Sequence, residues 1–260
     1  MNKLQYCYHC HTKRCGHAIG EDEEYVISAV NLGIKRLGFS DHVILPRGFE
    51  QPTIRGYSDQ LNDYLNSIKS LKVKYKKDVE ILVGFEAEYY PQMVEYYKDL
   101  LKDKIDFLIL GQHCYLSDDH FCWYFHNDIR KNRLDLYTNH IVEGLKTGLF
   151  KYLAHPDLFM HSYPCWNEET EKYAKIILST CEELDIPVEI NINGLIRRDW
   201  NEVGHAYPNG DFFELARQYN VRFIIGIDAH SPGAFNEEDI KKTLDFINKH
   251  HLKIDYDYRI

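Results

Sequence analysis

The sequence predicts an α/β protein, a distorted TIM-like (β/α)7 barrel that forms a single domain over residues 1–260. Three observations predict it. Seven short β-rich runs alternate with helix-like stretches, the chain length of 260 residues suits one large α/β domain, and no glycine-rich phosphate loop follows the first strand. Seven strand–helix units in this length favour a closed parallel barrel, with a doubly wound open sheet as the alternative.

The predicted elements follow one another as strand and then helix along the chain. The strands are Gln5–His11, Leu37–Ser40, Val79–Phe85, Phe107–Gly111, Lys151–Ala154, Val188–Ile192 and Arg222–Ile227. Several of the helical stretches have apolar residues three and four apart, as in Tyr173, Ile176, Ile177 and Cys181. The helices are Glu21–Lys35, Ser58–Lys76, Gln92–Lys102, Leu134–Thr147, Glu168–Leu184, Gly210–Tyr219 and Glu237–His250.

Charge and composition narrow the range of functions. A formal net charge of −9 argues against a nucleic-acid surface as the main binding face, but it permits a small phosphate-bearing substrate. The sequence contains no run of about 18 apolar residues, so it predicts no membrane-spanning helix. Without a secretory signal, and with seven scattered cysteines, the chain is expected to be cytoplasmic with reduced thiols.

Histidines or carboxylates follow six of the seven predicted strands. In a parallel barrel these strand ends share one face, where active sites are built. Neutral imidazole and carboxylate suit zinc, iron or manganese, and nine candidate ligands are too many for one ion, so two to three divalent ions are predicted. The nine candidates are His9, His11, His17, His42, Glu86, His113, His155, Asp228 and His230.

Each candidate also has a structural interpretation. A single histidine at a strand end is more often a hydrogen-bonded structural residue, and a carboxylate there is often a helix N-cap. These interpretations would have to hold independently at six strand ends. A zinc–thiolate site at Cys7, Cys10 and Cys15 competes weakly, because residues three apart on a strand point to opposite faces. Six other histidines are expected on loops or helix surfaces, and His205 is left open; the six are His120, His126, His140, His161, His250 and His251.

An ordered set of short motifs runs through nearly the whole chain. It consists of H-C-H-T at 9–12, S-D-H at 40–42, G-F-E at 84–86, Q-H at 112–113, A-H-P-D at 154–157, E-I-N at 189–191 and D-A-H at 228–230. This set resembles the PHP (polymerase and histidinol phosphatase) superfamily, specifically its stand-alone histidinol-phosphatases. The resemblance implies a three-metal site. It assigns a first ion to His9, His11, Glu86 and Asp228, a second to the bridging Glu86 with His113 and His155, and a third to His17, His42 and His230.

The resemblance also implies an activity, the hydrolysis of L-histidinol phosphate to L-histidinol and phosphate in histidine biosynthesis. A metal-bound hydroxide would attack phosphorus, and Glu86, Asp228 and Arg197 would be catalytic. Ile196 stands as an insertion before two arginines, so Arg197, which we prefer, or Arg198 would clamp the phosphate. Asn193 would also contact the substrate, while surface ion pairs are the alternative role for both arginines.

Other functions remain open at this point. Another phosphatase of the superfamily would act on a phosphotyrosine protein or a nucleotide phosphate, and a nuclease is disfavoured by the acidic charge balance. A non-catalytic metal-binding module is disfavoured by the intact ligand set. The expected partner is a small phosphate ester, and the sequence predicts no oligomeric state.

Overall fold

Strands and helices alternate through the computed structural model, which describes residues 4–51, 54–117, 120–126, 128–197 and 207–260. The strands are β1 (Tyr6–Cys7), β2 (Arg36–His42), β3 (Glu80–Ala87), β4 (Phe107–Leu110), β5 (Cys114–Ser117), β6 (His120–Trp123), β7 (Val188–Asn191) and β8 (Phe223–Gly226). The α-helices are α1 (Asp22–Leu32), α2 (Leu61–Lys74), α3 (Val94–Asp103), α4 (Leu134–Lys146), α5 (Glu168–Glu183), α6 (Ile192–Arg197), α7 (Gly210–Ala216) and α8 (Glu237–Lys249). The α/β prediction is confirmed, and each predicted helix is present.

The parallel strands curl into a distorted barrel. β1, β2, β3 and β4 pair in that order, and β7 pairs with β8. The ends of the barrel sheet meet where Cys10 bridges Ala229, with the His11 backbone N–H donating to the Ala229 carbonyl oxygen at 2.9 Å. This closure brings the carboxyl ends of the first and last strands together, and with them the segments around His9 and Asp228.

The fifth barrel strand is shorter than predicted. Within Lys151–Ala154, only Leu153 forms β-bridges, to Leu110 on one side and to Val188 on the other. The chain turns directly afterwards, because His155 has a φ of 27° and cannot continue a strand. One bridging residue is therefore enough to connect β4 to β7.

An antiparallel hairpin, which the sequence did not predict, follows β4. β5 and β6 pair with each other, Cys114 opposite Trp123. The hairpin begins directly after His113, so it stands at the same end of the barrel as the strand-end histidines.

The helices begin at identifiable caps. The Asn167 side chain accepts hydrogen bonds from the backbone N–H groups of Glu169 and Thr170, and Asn236 accepts from Asp239. These contacts satisfy first-turn donors that have no partner within the helix. Among the helices that the structure describes, none is both long and apolar enough to cross a membrane.

Candidate metal centre

Glu86 lies at the centre of the predicted site. It stands near the end of β3, is 1% exposed, and has Oε1 2.8 Å from His155 Nε2 and 3.4 Å from His9 Nε2. The same oxygen is 3.5 Å from His113 Nε2. The other oxygen, Oε2, is 3.1 Å from His42 Nδ1 and 3.6 Å from the Nε2 of His11. One carboxylate thus faces five of the predicted histidines, with its two oxygens directed at different members of the group.

Asp228 faces the same cluster from the opposite side. Its Oδ1 is 3.0 Å from His11 Nε2 and 3.5 Å from His9 Nε2. Its Oδ2 accepts hydrogen bonds from the side-chain amides of Asn191 at 3.3 Å and Asn193 at 3.0 Å. The amides orient the carboxylate so that its free oxygen faces the histidines.

A third group consists of His17, His42 and His230. Their candidate ligand atoms all lie within 4.8 Å of one another, and His17 stacks on His230 with ring centroids 4.8 Å apart. His17 is exposed and His230 is partly exposed, whereas His9, His11 and Glu86 are buried. The structure therefore brings all nine predicted ligands together, and the cluster is open to solvent on the His17 side.

Two of the predicted ligands have a backbone conformation that L residues rarely adopt. His155 has φ 27° and Asp228 has φ 54°, both in the left-handed region. Such positions cost about 1–3 kcal/mol each and are common at functional sites. Each turn directs a ligand side chain into the cluster at the point where its β-segment ends.

Several buried atoms of the predicted ligands have no hydrogen-bond partner among the described residues. They are His9 Nε2, both ring nitrogens of His11, His42 Nδ1, Glu86 Oε2 and His155 Nδ1. Carboxylate oxygens face the first four nitrogens at 3.0–3.6 Å without hydrogen-bond geometry. Buried polar atoms rarely lack a hydrogen-bond partner. These imidazole nitrogens and carboxylate oxygens are the kind of atoms that coordinate divalent metal ions. The residues fit a multi-ion site.

The competing zinc–thiolate interpretation gains no support. Cys7 and Cys10 donate their thiols to backbone carbonyls of His9 and His11. Among the described residues, no group of candidate ligands contains either cysteine, and Cys15 is grouped only with His11 and His230.

Burial and neighbouring charges shift the pKa of the clustered histidines in opposite directions. Burial, and after it the charge of His11, lowers the pKa of His230 to about 3. Burial also acts to lower the pKa of His11, but its interactions with Asp228 and Asp41 outweigh this effect and raise the pKa to about 9. Burial acts to raise the pKa of Glu86 and Asp228, yet the surrounding histidines hold the pKa of each well below its usual value. Both carboxylates are therefore ionised at neutral pH.

Metal affinity should decrease as the pH falls. Because the pKa of His11 is raised to about 9 in the metal-free chain, an ion that binds at neutral pH must displace a proton. Each displaced proton weakens binding about tenfold per pH unit, so chelator competition between about pH 8 and pH 5.5 should show at least a hundredfold loss. Activity should disappear together with bound metal below about pH 5–6. A flat affinity profile, or activity at pH 4 without metal, would contradict this prediction.

Two of the three predicted substrate contacts, Asn193 and Arg197, lie on the open side. A cavity of about 270 Å³ is lined by His17, Asn193, Arg197, Asp228 and His230, together with isoleucines that include Ile196. Arg197 is exposed at the end of α6, a short helix that begins at Ile192, which the sequence analysis placed in the strand Val188–Ile192. Arg198 lies outside the described residues. Arg197 thus lines a cavity that it shares with three predicted ligands.

A second layer of carboxylates, which the sequence analysis missed, surrounds the histidines. Glu189 of β7 lies with Oε1 2.8 Å from His9 Nδ1, and its Oε2 accepts a hydrogen bond from the His155 backbone N–H at 3.0 Å. Glu88 lies 3.2 Å from His113 Nδ1. The available signal was spacing. Glu189 precedes Asn191 by two residues within β7, which places both on one face of that strand, and Glu88 follows Glu86 by two residues, just past the end of β3.

The sequence is similar to a known family and to named relatives. The family model described as PHP domain matches residues 8–193. The chain is 29% identical over 236 residues to a Deinococcus radiodurans protein named probable histidinol-phosphatase, and the alignment covers 86% of each. It is 23% identical over 252 residues to the histidinol-phosphatase of Bacillus subtilis, covering 86% of this chain and 93% of that protein.

A solved structure shares the fold. It is the histidinol phosphate phosphatase of Lactococcus lactis in complex with zinc, L-histidinol and phosphate, with a TM-score of 0.71 and 16% sequence identity. The match covers 96% of this chain and 95% of that chain. The predicted TIM-like barrel is confirmed.

Proposed function

The chain belongs to the PHP domain family, and on that premise we propose that it is a metal-dependent phosphomonoesterase that hydrolyses L-histidinol phosphate to L-histidinol and phosphate. The observation that carries the proposal is a cluster of buried imidazole and carboxylate atoms that have no hydrogen-bond partner in the described part of the chain, beside an open cavity that Arg197 lines. The names of the relatives from Deinococcus radiodurans and Bacillus subtilis support the choice of substrate.

The proposed cofactor is two to three divalent ions, zinc, iron or manganese. His9, His11, Glu86 and Asp228 would hold the first ion, and Glu86 would share the second with His113 and His155. His17, His42 and His230 would hold the third. When bound, such ions lower the pKa of water from 15.7 toward about 7 and balance the charge of phosphoryl oxygens.

The protein's own groups then orient the substrate. Glu86 and Asp228 stay ionised, because the surrounding histidines hold the pKa of each carboxyl well below its usual value. As anions they would hold the facing imidazoles around the cluster. The phosphate enters from the side of His17 and His230, where the cavity is open. Arg197 binds the phosphate oxygens that face away from the cluster, because a guanidinium stays charged at every working pH and can donate two parallel hydrogen bonds.

Arg197→Ala should lose roughly 30- to 150-fold in kcat/KM, equivalent to about 2–3 kcal/mol for one charge-assisted contact. Arg197→Lys should also lose activity, since it keeps the charge without the two-pronged geometry. Bound metal should be unchanged in both variants. Steady-state kinetics and metal analysis measure these effects.

Arg217→Ala, an exposed change at the end of α7, is the matched control and should retain full activity. If Arg198→Ala shows the loss and Arg197→Ala does not, the insertion at Ile196 shifts the clamp by one residue. If neither variant loses activity, the clamp lies elsewhere.

The alternative substrates are a phosphotyrosine protein and a nucleotide phosphate, and the alternative to catalysis is a metal-binding module without turnover. A substrate panel separates them: histidinol phosphate, a phosphotyrosine peptide, nucleotide monophosphates and a bis-nucleotide ester. We expect histidinol phosphate to give a kcat/KM at least about 100-fold above the others, because the affinity of a specific site exceeds that for unmatched substrates by several kcal/mol. A higher kcat/KM for the phosphopeptide or a nucleotide would overturn the substrate assignment. If no ester released phosphate, the metal-binding module without turnover would be favoured.

We further propose that residues 1–260 form a single metallohydrolase domain that acts in the cytoplasm. The net charge of −9 supports a small-molecule substrate rather than nucleic acid.

A further inference from the structure

A buried ion pair lies behind His113. Arg55 and Glu88 are both 0% exposed, and Arg55 Nη2 is 3.1 Å from each Glu88 oxygen. The guanidinium also donates to Gln51 Oε1 at 3.1 Å and to the Val43 carbonyl oxygen at 3.3 Å. Burying two charges is expensive even when they pair, and apolar replacements are often as stable. Stabilisation of the fold is therefore a weak explanation for the presence of this buried ion pair.

Glu88 connects the pair to the cluster. Its Oε1 is 3.2 Å from His113 Nδ1, while His113 Nε2 is directed at Glu86 Oε1, 3.5 Å away. A neutral imidazole carries one N–H, and an acceptor beside Nδ1 places the proton there. The lone pair of Nε2 then faces the cluster, as in carboxylate–histidine–metal arrangements.

The orientation of the His113 ring depends on a fixed hydrogen-bond acceptor more than the rings of His155 and His9 do. Its side chain is 17% exposed, against 3% for His155 and 0% for His9. It follows β4 and immediately precedes the β5–β6 hairpin. A partly exposed ring has more freedom to rotate, so a fixed acceptor behind it determines which nitrogen it presents.

We propose that Glu88 is a positioning residue that holds His113 in its Nδ1–H form, and that Arg55 fixes Glu88 in place. The affinity for the ion that His113 and His155 share then depends on Glu88, an acceptor that does not touch the ion, and Arg55 is needed only while Glu88 carries its buried charge. The inference rests on the proposed metal site, although it does not depend on the identity of the substrate.

Two charge-neutral double variants separate positioning from stability. R55M/E88L removes both charges and the acceptor, whereas R55M/E88Q removes the charges and leaves an amide oxygen for His113 Nδ1. We expect R55M/E88L to melt near the wild-type temperature and to bind the shared ion about 10- to 100-fold more weakly by chelator competition. R55M/E88Q should recover most of that affinity. The control K98M/E95L, which removes an exposed ion pair on α3, should bind metal normally.

Nitrogen NMR of the zinc-loaded wild-type chain gives a second measurement that does not depend on the variants folding. His113 should show a protonated Nδ1 and a zinc-bound Nε2. Zinc bound through Nδ1, wild-type affinity in R55M/E88L, or equal weakness in both double variants would each overturn the inference. A wild-type chain that binds zinc in this way but releases no phosphate would refute the proposed function alone.

Discussion

Glu86→Ala should lose most of the bound metal and more than about 1,000-fold in kcat/KM, a loss of at least about 4 kcal/mol of transition-state stabilisation. The reason is its central position, because its two oxygens face His9, His11, His42, His113 and His155. Removing it leaves the two proposed ions that it bridges without their shared anion. The loss should exceed that of most single histidine replacements, each of which removes a ligand from one ion. Metal analysis and phosphate release on the same preparation measure both effects.

Glu86→Gln is the informative companion, since it keeps the shape of the side chain and removes its charge. It should bind metal more weakly than the parent. Glu95→Ala, which changes an exposed glutamate on α3, is the control and should behave as the parent. Equal metal content in Glu86→Ala and the parent would count against a bridging role.

Gly111→Ala should produce a defect of the same kind without changing any predicted ligand. Gly111 follows β4, and a Cβ built there overlaps the Glu86 carboxylate and lies 2.7 Å from its Cγ. The Glu86 carboxylate must move to make room for this Cβ. We expect about a 100-fold or greater loss of kcat/KM with reduced metal content, and about 1–3 kcal/mol of lost stability from overpacking. Kinetics, metal analysis and thermal unfolding measure these effects.

Gly233→Ala is the matched control. Among the described residues, a Cβ added at Gly233 would meet only Ser231 Oγ, at 3.8 Å, which is an ordinary van der Waals contact. This variant should keep its metal and its activity. A fully active, metal-replete Gly111→Ala would show that Glu86 does not occupy the position described above.

The predictable part of the site follows from the geometry of parallel sheets. Residues that end parallel strands share an edge, so His42, Glu86 and Asp228 could be placed together without coordinates. Apolar spacing located the helices within a few residues of where they lie, since an amphipathic face has a period that sequence displays.

The remaining features depend on contacts between distant segments. The fifth strand is reduced to Leu153 because the turn at His155 comes at once, and no local pattern predicts a positive φ there. The β5–β6 hairpin has only short strands of four residues, too few for a clear alternation. Arg55 reaches Glu88 across 33 residues of sequence, and that pairing exists only once the barrel has formed.

The central claim is that the strand-end cluster acts by binding divalent ions and hydrolyses histidinol phosphate. The most direct measurement is phosphate release from L-histidinol phosphate by metal-depleted protein as zinc or manganese is added back in known equivalents per chain. We expect no release without metal, activity that rises as the second equivalent binds, and a plateau at two to three equivalents. A release rate that is independent of added metal, or no release when the chain holds its full complement, would contradict the account.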